Sequence, residues 1–497
     1  MAVVALVVFL IFGFRLLAHA QRDAFLIAKA QTRVQLISHG ATPYRWELRS
    51  REDLIAGRVF GVKKIAFDAD GLRLQAGTDA FEIGLPLNND VIDLQRFDRL
   101  RLRVLTQQPL VRCELVVRQT LAEAELTAVL PVAALGVSEE IALAALTWTA
   151  SPGASAPAPA RAASLRLRVL APAGSVFHLD TLEVLPDPKF GEPGLLARSL
   201  AGATHATPAL AGDTPIATSH AALPLVDYPS SISNEALMAY FDRLRGREPS
   251  ALLVPQGGLD ALQANSPPAP KASSNSSWAS WLSVAALAAG LLFIRYFPPR
   301  RPRLRATLEL IGVLAPALAI VIGGLLGNDL DAAVGTALLC VAVFAFSLPR
   351  TPWRWTGDWG TWLLPGVVIA IAILLASVWG DHLKLPGSLI LLRYVAWAAL
   401  QQYLVCIVIT DRCRMLGLAD RWTVVLVAAM FALLHTPNET LMLATFAGGL
   451  IWTTAWLRDR CFVPIVVSHA LSAMIVFSTL PPGVLRSAEV SARFFLS

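Results

Sequence analysis

A chain of 497 residues in which 55% are hydrophobic and only 16% charged, with a mean hydropathy of +0.56, is too apolar to be a soluble enzyme of its size. The net charge of +6 resides largely in arginines between apolar runs, which argues for membrane topology and against nucleic-acid binding. Of the five cysteines only Cys113 lies in the less apolar part, so no disulfide framework is available to it.

Residues 1–17, MAVVALVVFLIFGFRLL, have the length of a signal sequence or short membrane anchor, and AHA at 18–20 has the small-x-small pattern of a cleavage site. The usual basic stretch before the apolar run is missing, which favours an uncleaved anchor over residues 1–20. From about residue 31 to 186 the pattern changes to short alternating runs such as RVQLIS, GLRLQAG, RLRLRVL, LRLRVLAP and VFHLDTLEVLP. In RLRLRVL, Arg99, Arg101 and Arg103 alternate with Leu100, Leu102 and Val104, putting charge on one face and a core on the other at the strand period. Many such runs between Gly, Pro and Asp turns predict an antiparallel β-sandwich over residues 21–190. The stretch SPGASAPAPARAAS at 151–164 reads as a long exposed loop. FDRLRLRVL and VFHLDTLEVLP resemble strands of jelly-roll domains of the galactose- or carbohydrate-binding kind. That resemblance implies a glycan ligand; docking on a partner protein is the alternative.

Residues 191–277 read as a helix-containing linker, with an amphipathic helix in NEALMAYFDRLRG, Asn234 as its N-cap and Gly246 as its stop. SPPAPKASSNSS at 266–277 reads as a flexible tether. An α-helical membrane bundle of about eight spans then opens at Trp278, with spans predicted at 278–297, 306–326, 331–349, 361–380, 387–410, 421–437, 440–457 and 461–480. Each is near the roughly 20 residues a helix needs to cross the hydrocarbon core. The first of these is set apart as a single span, residues 298–480 form the bundle, and 481–497 are a C-terminal tail. Arg295, Arg300, Arg301, Arg303 and Arg305 follow the first span, Arg350 and Arg354 the third, Arg412 and Arg414 the fifth, and Arg458 and Arg460 the seventh. Every second loop is therefore basic, which predicts those loops in the cytoplasm and residues 21–277 outside it. In a bacterium with two membranes that compartment is the periplasm and the membrane is the inner one.

Polar residues deep in these spans are Arg393, Gln401, Gln402, His435 and His469. An unpaired amide or imidazole in lipid costs free energy, so such residues are functional-site candidates. The plainer reading for the two glutamines is interhelical hydrogen bonding, which typically contributes roughly 0.6 to 2 kcal/mol. Arg393 is placed to snorkel or to hold a lipid phosphate. Trp353, Trp355, Trp359 and Trp362 read as an interfacial aromatic belt.

FALLH, running from Phe431 to His435, and PIVVSHALSA around His469 resemble the CPBP family of intramembrane proteases, the CAAX-processing and bacteriocin-immunity-type membrane peptidases, over roughly residues 300–480. That family carries a Glu-Glu pair followed four residues later by Arg, a Phe-x-x-x-His, and a His followed four residues later by Asn or a similar polar residue. Phe431 with His435 fits the second motif and His469 the third, while Gln401-Gln402 stands for the Glu-Glu pair, Cys406 for the Arg and Ala473 for the Asn. The resemblance implies a glutamate acting as general base on a water, with the histidines and Asn binding that water or stabilising the oxyanion. A glutamine amide has no such basicity. The acids from 306 to 480, namely Glu309, Asp329, Asp331, Asp358, Asp381, Asp411, Asp420, Glu439 and Asp459, all fall at or near predicted span ends. The nearest, Glu439, is expected in the external loop TPNE.

Two histidines and two amides do not make a hydrolytic zinc site, so no cofactor is expected, and a divalent metal at His435 and His469 is the disfavoured option. The favoured reading is a catalytically degenerate relative acting as a membrane scaffold or binding subunit. Its expected partners are the lipid bilayer and, through residues 21–190, another envelope protein or a glycan, in cell-envelope polysaccharide assembly. The alternative is an active intramembrane peptidase that cleaves a membrane-anchored substrate with His435 and His469. Transport is weaker still, because the spans show no inverted repeat and no charged pathway.

Overall fold

A computed structural model of the chain places Ala2–Ser38 in one helix, α1. RVQLIS, expected to open the β-region as a strand, is instead the end of this helix. Leu26, Ala30, Val34 and Ile37 are buried at helical spacing, so the longer period overrides a local alternation. The structure describes all residues except 88–89, 106–111, 132–136, 151–152, 191–193, 206–221, 259–261, 263–276, 327–331, 381–387 and 497. Apart from Ser277, the predicted tether at 266–277 lies outside the described residues, as do Asp329 and Asp331. Two compact units emerge: Met1–Phe25 with Ser231–Tyr240 and Ser273–Ser497, and Leu26–Ser230 with Phe241–Ala272.

The second unit holds two antiparallel sheets of six strands each. In the first, Val62–Asp68, Gly71–Ala76, Val176–Leu185, Arg99–Val104 and Ser138–Ala142 lie side by side, and Arg45–Trp46 pairs with Val176–Leu185. In the second, the order is Ala154–Ala156, Trp148–Ala150, Leu126–Leu130, Arg112–Arg118, Ser164–Leu170 and Ala80–Leu85. Leu72, Leu102, Phe177 and Leu182 from the first sheet and Phe81, Leu115, Leu167 and Trp148 from the second belong to one core, together with Ala30, Val34 and Ile37 of α1. The opposite faces are charged and internally compensated. Arg99 pairs with Glu140 at 2.8 Å, Arg101 with Glu183 at 3.1 Å, Arg103 with Asp180 at 3.2 Å, and Arg166 with Glu82 at 2.7 Å.

The stretch expected as one exposed loop at 151–164 is partly sheet. Ala154–Ala156 pairs with Trp148–Ala150, and Arg161–Ala162 pairs with Ile92–Asp93. Pro157 and Pro159 fall between these strands, where no ladder donor is lost. A three-stranded parallel sheet also forms from Thr204–His205, Leu225–Tyr228 and Leu252–Pro255. The latter two strands are fully buried four-residue runs without alternation, as parallel strands typically are, and the sequence reading did not place them. Helix α2 (Leu195–Ala201) precedes this sheet, and α3 (Asn234–Arg245) connects its last two strands.

The first unit is helical: α4 (Ser277–Tyr296), α5 (Pro302–Ile322), α6 (Ala332–Ser347), α7 (Leu363–Trp379), α8 (Ser388–Gln402), α9 (Thr410–Met415), α10 (Asp420–Leu433), α11 (Glu439–Asp459) and α12 (Val463–Thr479). Among the described residues six helices are long and apolar enough to cross a membrane: Ala2–Ser38, Trp278–Tyr296, Pro302–Ile322, Trp359–Trp379, Leu391–Met415 and Glu439–Asp459. α6 and α12 are apolar but shorter. The chain is therefore a multi-pass membrane protein in contact with the lipid bilayer, and side chains such as Phe293, Leu339, Val343 and Leu374 supply the exposed apolar surface this requires.

The arginines assigned to basic loops do not all remain in solvent. Arg412 is 1% exposed, and its Nε meets Glu309 Oε2 at 3.0 Å while Arg305 meets Oε1 of the same carboxylate at 2.8 Å. Arg460 pairs with Asp411 at 2.5 Å, and the Thr351 backbone N–H donates to the other oxygen at 3.2 Å. These charges therefore fasten α5, α9 and the α11–α12 turn together.

Candidate functional site

Gln402 is the last residue of α8 and is fully buried; Gln401 is half-buried beside it. The next seven residues, Tyr403–Ile409, form a π-helical segment before α9 begins. Thr410 Oγ1 donates to Val405 O at 2.8 Å, inside this widened turn. Such segments are rare and occur frequently at functional sites. Here the segment follows directly on the paired amides and includes Cys406.

The Gln402 amide reaches in two directions. Its Nε2 lies 3.1 Å from Nδ1 of His469, and its Oε1 accepts from the Cys406 thiol at 3.3 Å. Cys406, which stands for the arginine of the resembled motif, is thus a buried neutral partner of the amide.

His435 follows the end of α10, where its Nδ1–H donates to Phe431 O at 2.8 Å. The Phe431 ring stands edge-on to both imidazoles, at 4.9 Å from His435 and 5.8 Å from His469. Trp452 of α11 covers His469 at 4.8 Å and anchors its own indole N–H on Ser468 Oγ at 3.0 Å; that hydroxyl donates in turn to Pro365 O at 2.6 Å. The structure therefore joins Gln402, His469 and His435 around one aromatic side chain. Ala473 is half-buried and supplies no polar group, and Arg393 is exposed near the start of α8.

These contacts set the tautomers. A carbonyl accepts from His435 Nδ1–H, which leaves the Nε2 lone pair free. With the amide N–H directed at His469 Nδ1, that ring carries its proton on Nε2. The two imidazoles consequently present one acceptor and one donor, a pairing suited to a water or a peptide group.

Glu439 does not join them. Expected in an external loop, it is buried and opens α11, which Asn438 caps by accepting from Leu441 N–H at 3.0 Å. Its carboxylate is held by Arg15 at 2.6 Å and His19 at 3.1 Å, both on α1. Among the described residues, no group of three or more His, Cys, Asp or Glu side chains is arranged to hold a metal.

Residues 389–475 match the family model Type II CAAX prenyl endopeptidase Rce1-like. The match runs from α8 into α12 and spans Gln401, Gln402, His435 and His469. The likeness to membrane proteases is thus carried by this segment; the β-sheet unit and α4–α7 lie outside the match. Comparisons with curated proteins and with solved structures find no match.

Sequence reasoning did not single out Trp452, Ser468 or the π-helical turn. The readable signal for Trp452 is the pair Gly448-Gly449 preceding it. A Cβ on Gly448 would lie 2.8 Å from the Trp452 ring, so the indole needs a glycine at that position.

Proposed function

We propose that the Rce1-like segment is an intramembrane peptidase site converted to binding, in which Gln401, Gln402, His435 and His469 receive a neutral polar group of a membrane-embedded partner. The observation that carries this is the bridging of His469 and Cys406 by Gln402, a group with no basicity at the position of a base. In this reading about eight spans from 278 to 480 form the scaffold, and the strands between Arg45 and Leu185, which follow helix α1, form a β-sandwich outside the cytoplasm that docks an envelope protein or glycan. The protein then resides in a bacterial inner membrane, with the sandwich in the periplasm.

The test uses full-length protein in proteoliposomes with a fluorogenic membrane-anchored peptide. No turnover is expected from the unsubstituted chain, and Gln402→Glu together with Gln401→Glu should create some. Turnover by the unsubstituted chain that is abolished in His435→Ala would reverse the conclusion.

One observation favours a second reading, an active peptidase. The His435 Nδ1–H contact to Phe431 O leaves Nε2 available as an acceptor for a water proton. The same His435→Ala comparison decides between the two.

A further inference from the structure

The N-termini of α3 and α11 exchange carboxylates. Glu235, in the first turn of α3, accepts the Thr440 N–H of α11 at 2.9 Å through Oε1, while Glu439, the first residue of α11, accepts the backbone N–H of Asn234 from α3. Two positive helix ends thus meet, each neutralised by an acid from the other. The Asn234 side-chain amide adds bonds to Ala18 O at 3.1 Å and Pro437 O at 2.8 Å, and Arg22 holds Ile232 O at 2.6 Å. Pro437 lies two residues after His435, and Thr436 between them accepts Ser491 N–H at 2.7 Å. The position of His435 therefore depends on this knot.

We propose that Glu235 is a proton-sensitive latch on the turn that carries His435. This deepens the reading of His435 as a site residue by assigning its regulation. Glu235 is 1% exposed, and its second oxygen, Oε2, is buried with no hydrogen-bond partner among the described residues. A protonated carboxyl keeps the Thr440 bond through Oε1 and needs no cation at Oε2; an ionised one, although hydrogen-bonded by Thr440 and its own backbone, places a buried charge beside Glu439 without a cation among the described residues. Among the charged groups of this knot, Glu439 on α11 acts on Glu235 directly, while Arg15 and His19 on α1 bind Glu439 and Arg22 on α1 binds the Asn234 side-chain oxygen. Arg15 and His19 are engaged with Glu439, and Arg22 with Asp23 and the Ile232 and Asn234 oxygens.

Burial, reinforced by the Glu439 charge, pushes the Glu235 carboxyl up to about 7 from an ordinary value of 4.5. A raised acid favours the folded latch when protonated. The contribution is complete below about 4.5 and is lost as pH rises through about 7.

Hydrogen exchange of full-length protein in detergent, read at backbone amides 434–442 and corrected for intrinsic rates, tests this directly. Thr440 and its neighbours should exchange at least about tenfold faster at about pH 8 than at about pH 5. In Glu235→Gln the two pH values should give equal, slow exchange, and infrared difference spectra should lose one protonated-carboxyl band. His19→Gln, which removes the other titratable group at Glu439, should keep the pH effect. If Glu235→Gln does not fold, Glu235→Asp serves, with a shifted midpoint expected. A pH effect retained in Glu235→Gln, absent from the unsubstituted chain, or abolished by His19→Gln overturns the latch. None of these readouts uses hydrolysis, so failure here leaves the assignment of the intramembrane site untouched.

Discussion

Gln402 and His469 are joined across 3.1 Å by an amide-to-imidazole hydrogen bond, and the same amide satisfies Cys406 at 3.3 Å. The buried Gln402 therefore carries the polar bookkeeping of the site, whereas half-buried Gln401 forms neither contact. Gln402→Ala would strand His469 Nδ1 and the Cys406 thiol, at a cost of about 1–3 kcal/mol for an unsatisfied buried group. Gln401→Ala should cost under about 0.5 kcal/mol. Thermal unfolding of both variants in detergent measures the difference; equal losses would show that the bridge does not support the bundle.

A stronger effect is expected at Glu309, which is 2% exposed and receives both Arg305 and Arg412. Glu309→Gln should leave the buried Arg412 guanidinium uncompensated and destabilise by roughly 3–5 kcal/mol. Glu309→Leu combined with Arg412→Met should recover most of that loss, since an apolar pair of similar volume leaves no buried charge. Chemical-denaturant titration of the single and double variants gives the coupling directly. A double variant as unstable as the single one would mean that Arg412 acts through its bond to Pro349 O, 2.9 Å away.

The parts legible in sequence are those with a clean period. Leu100, Leu102 and Val104 alternate with arginines and lie in a sheet core, and FALLH places His435 one turn after Phe431, where the structure has it. Legibility fails where tertiary context decides. RVQLIS alternates locally, but its Val34 and Ile37 continue a helical stripe begun at Leu26. Glu439 reads as a loop acid until Arg15 and His19, more than four hundred residues away in sequence, are seen to bind it. The Gln402–Cys406 spacing of four suggests ordinary helical neighbours, and no local pattern announces the π-helical turn between Tyr403 and Ile409.

In the β-sheet unit, Cys113 is 2% exposed, and burial, with the adjacent Glu114 charge, pushes its thiol up to about 12. The thiolate is the reactive form, so alkylation should be suppressed by about a thousandfold relative to an ordinary cysteine. Mass spectrometry after brief maleimide treatment of the intact protein should find Cys113 unmodified, and denatured protein should be labelled fully there. Rapid labelling without denaturation would place this strand outside the core.

Close approach of α10 and α11 rests on Gly449. A Cβ at that position would lie 3.1 Å from both Cα and Cβ of Ala428, and Ala428 shares a helix with Phe431. Gly449→Ala asks α10 to yield by a few tenths of an ångström, whereas Gly449→Val drives a branched side chain against backbone that cannot rotate away. Overpacking of this kind typically costs about 1–3 kcal/mol, so the valine variant should unfold at markedly lower temperature than the alanine variant. Because Phe431 lies on the displaced helix and its carbonyl fixes His435 Nδ1–H, the imidazole NMR signal of His435 should move in both variants, more for valine. An unchanged signal in a destabilised Gly449→Val would show that the α10–α11 contact supports the bundle without setting the His435 ring.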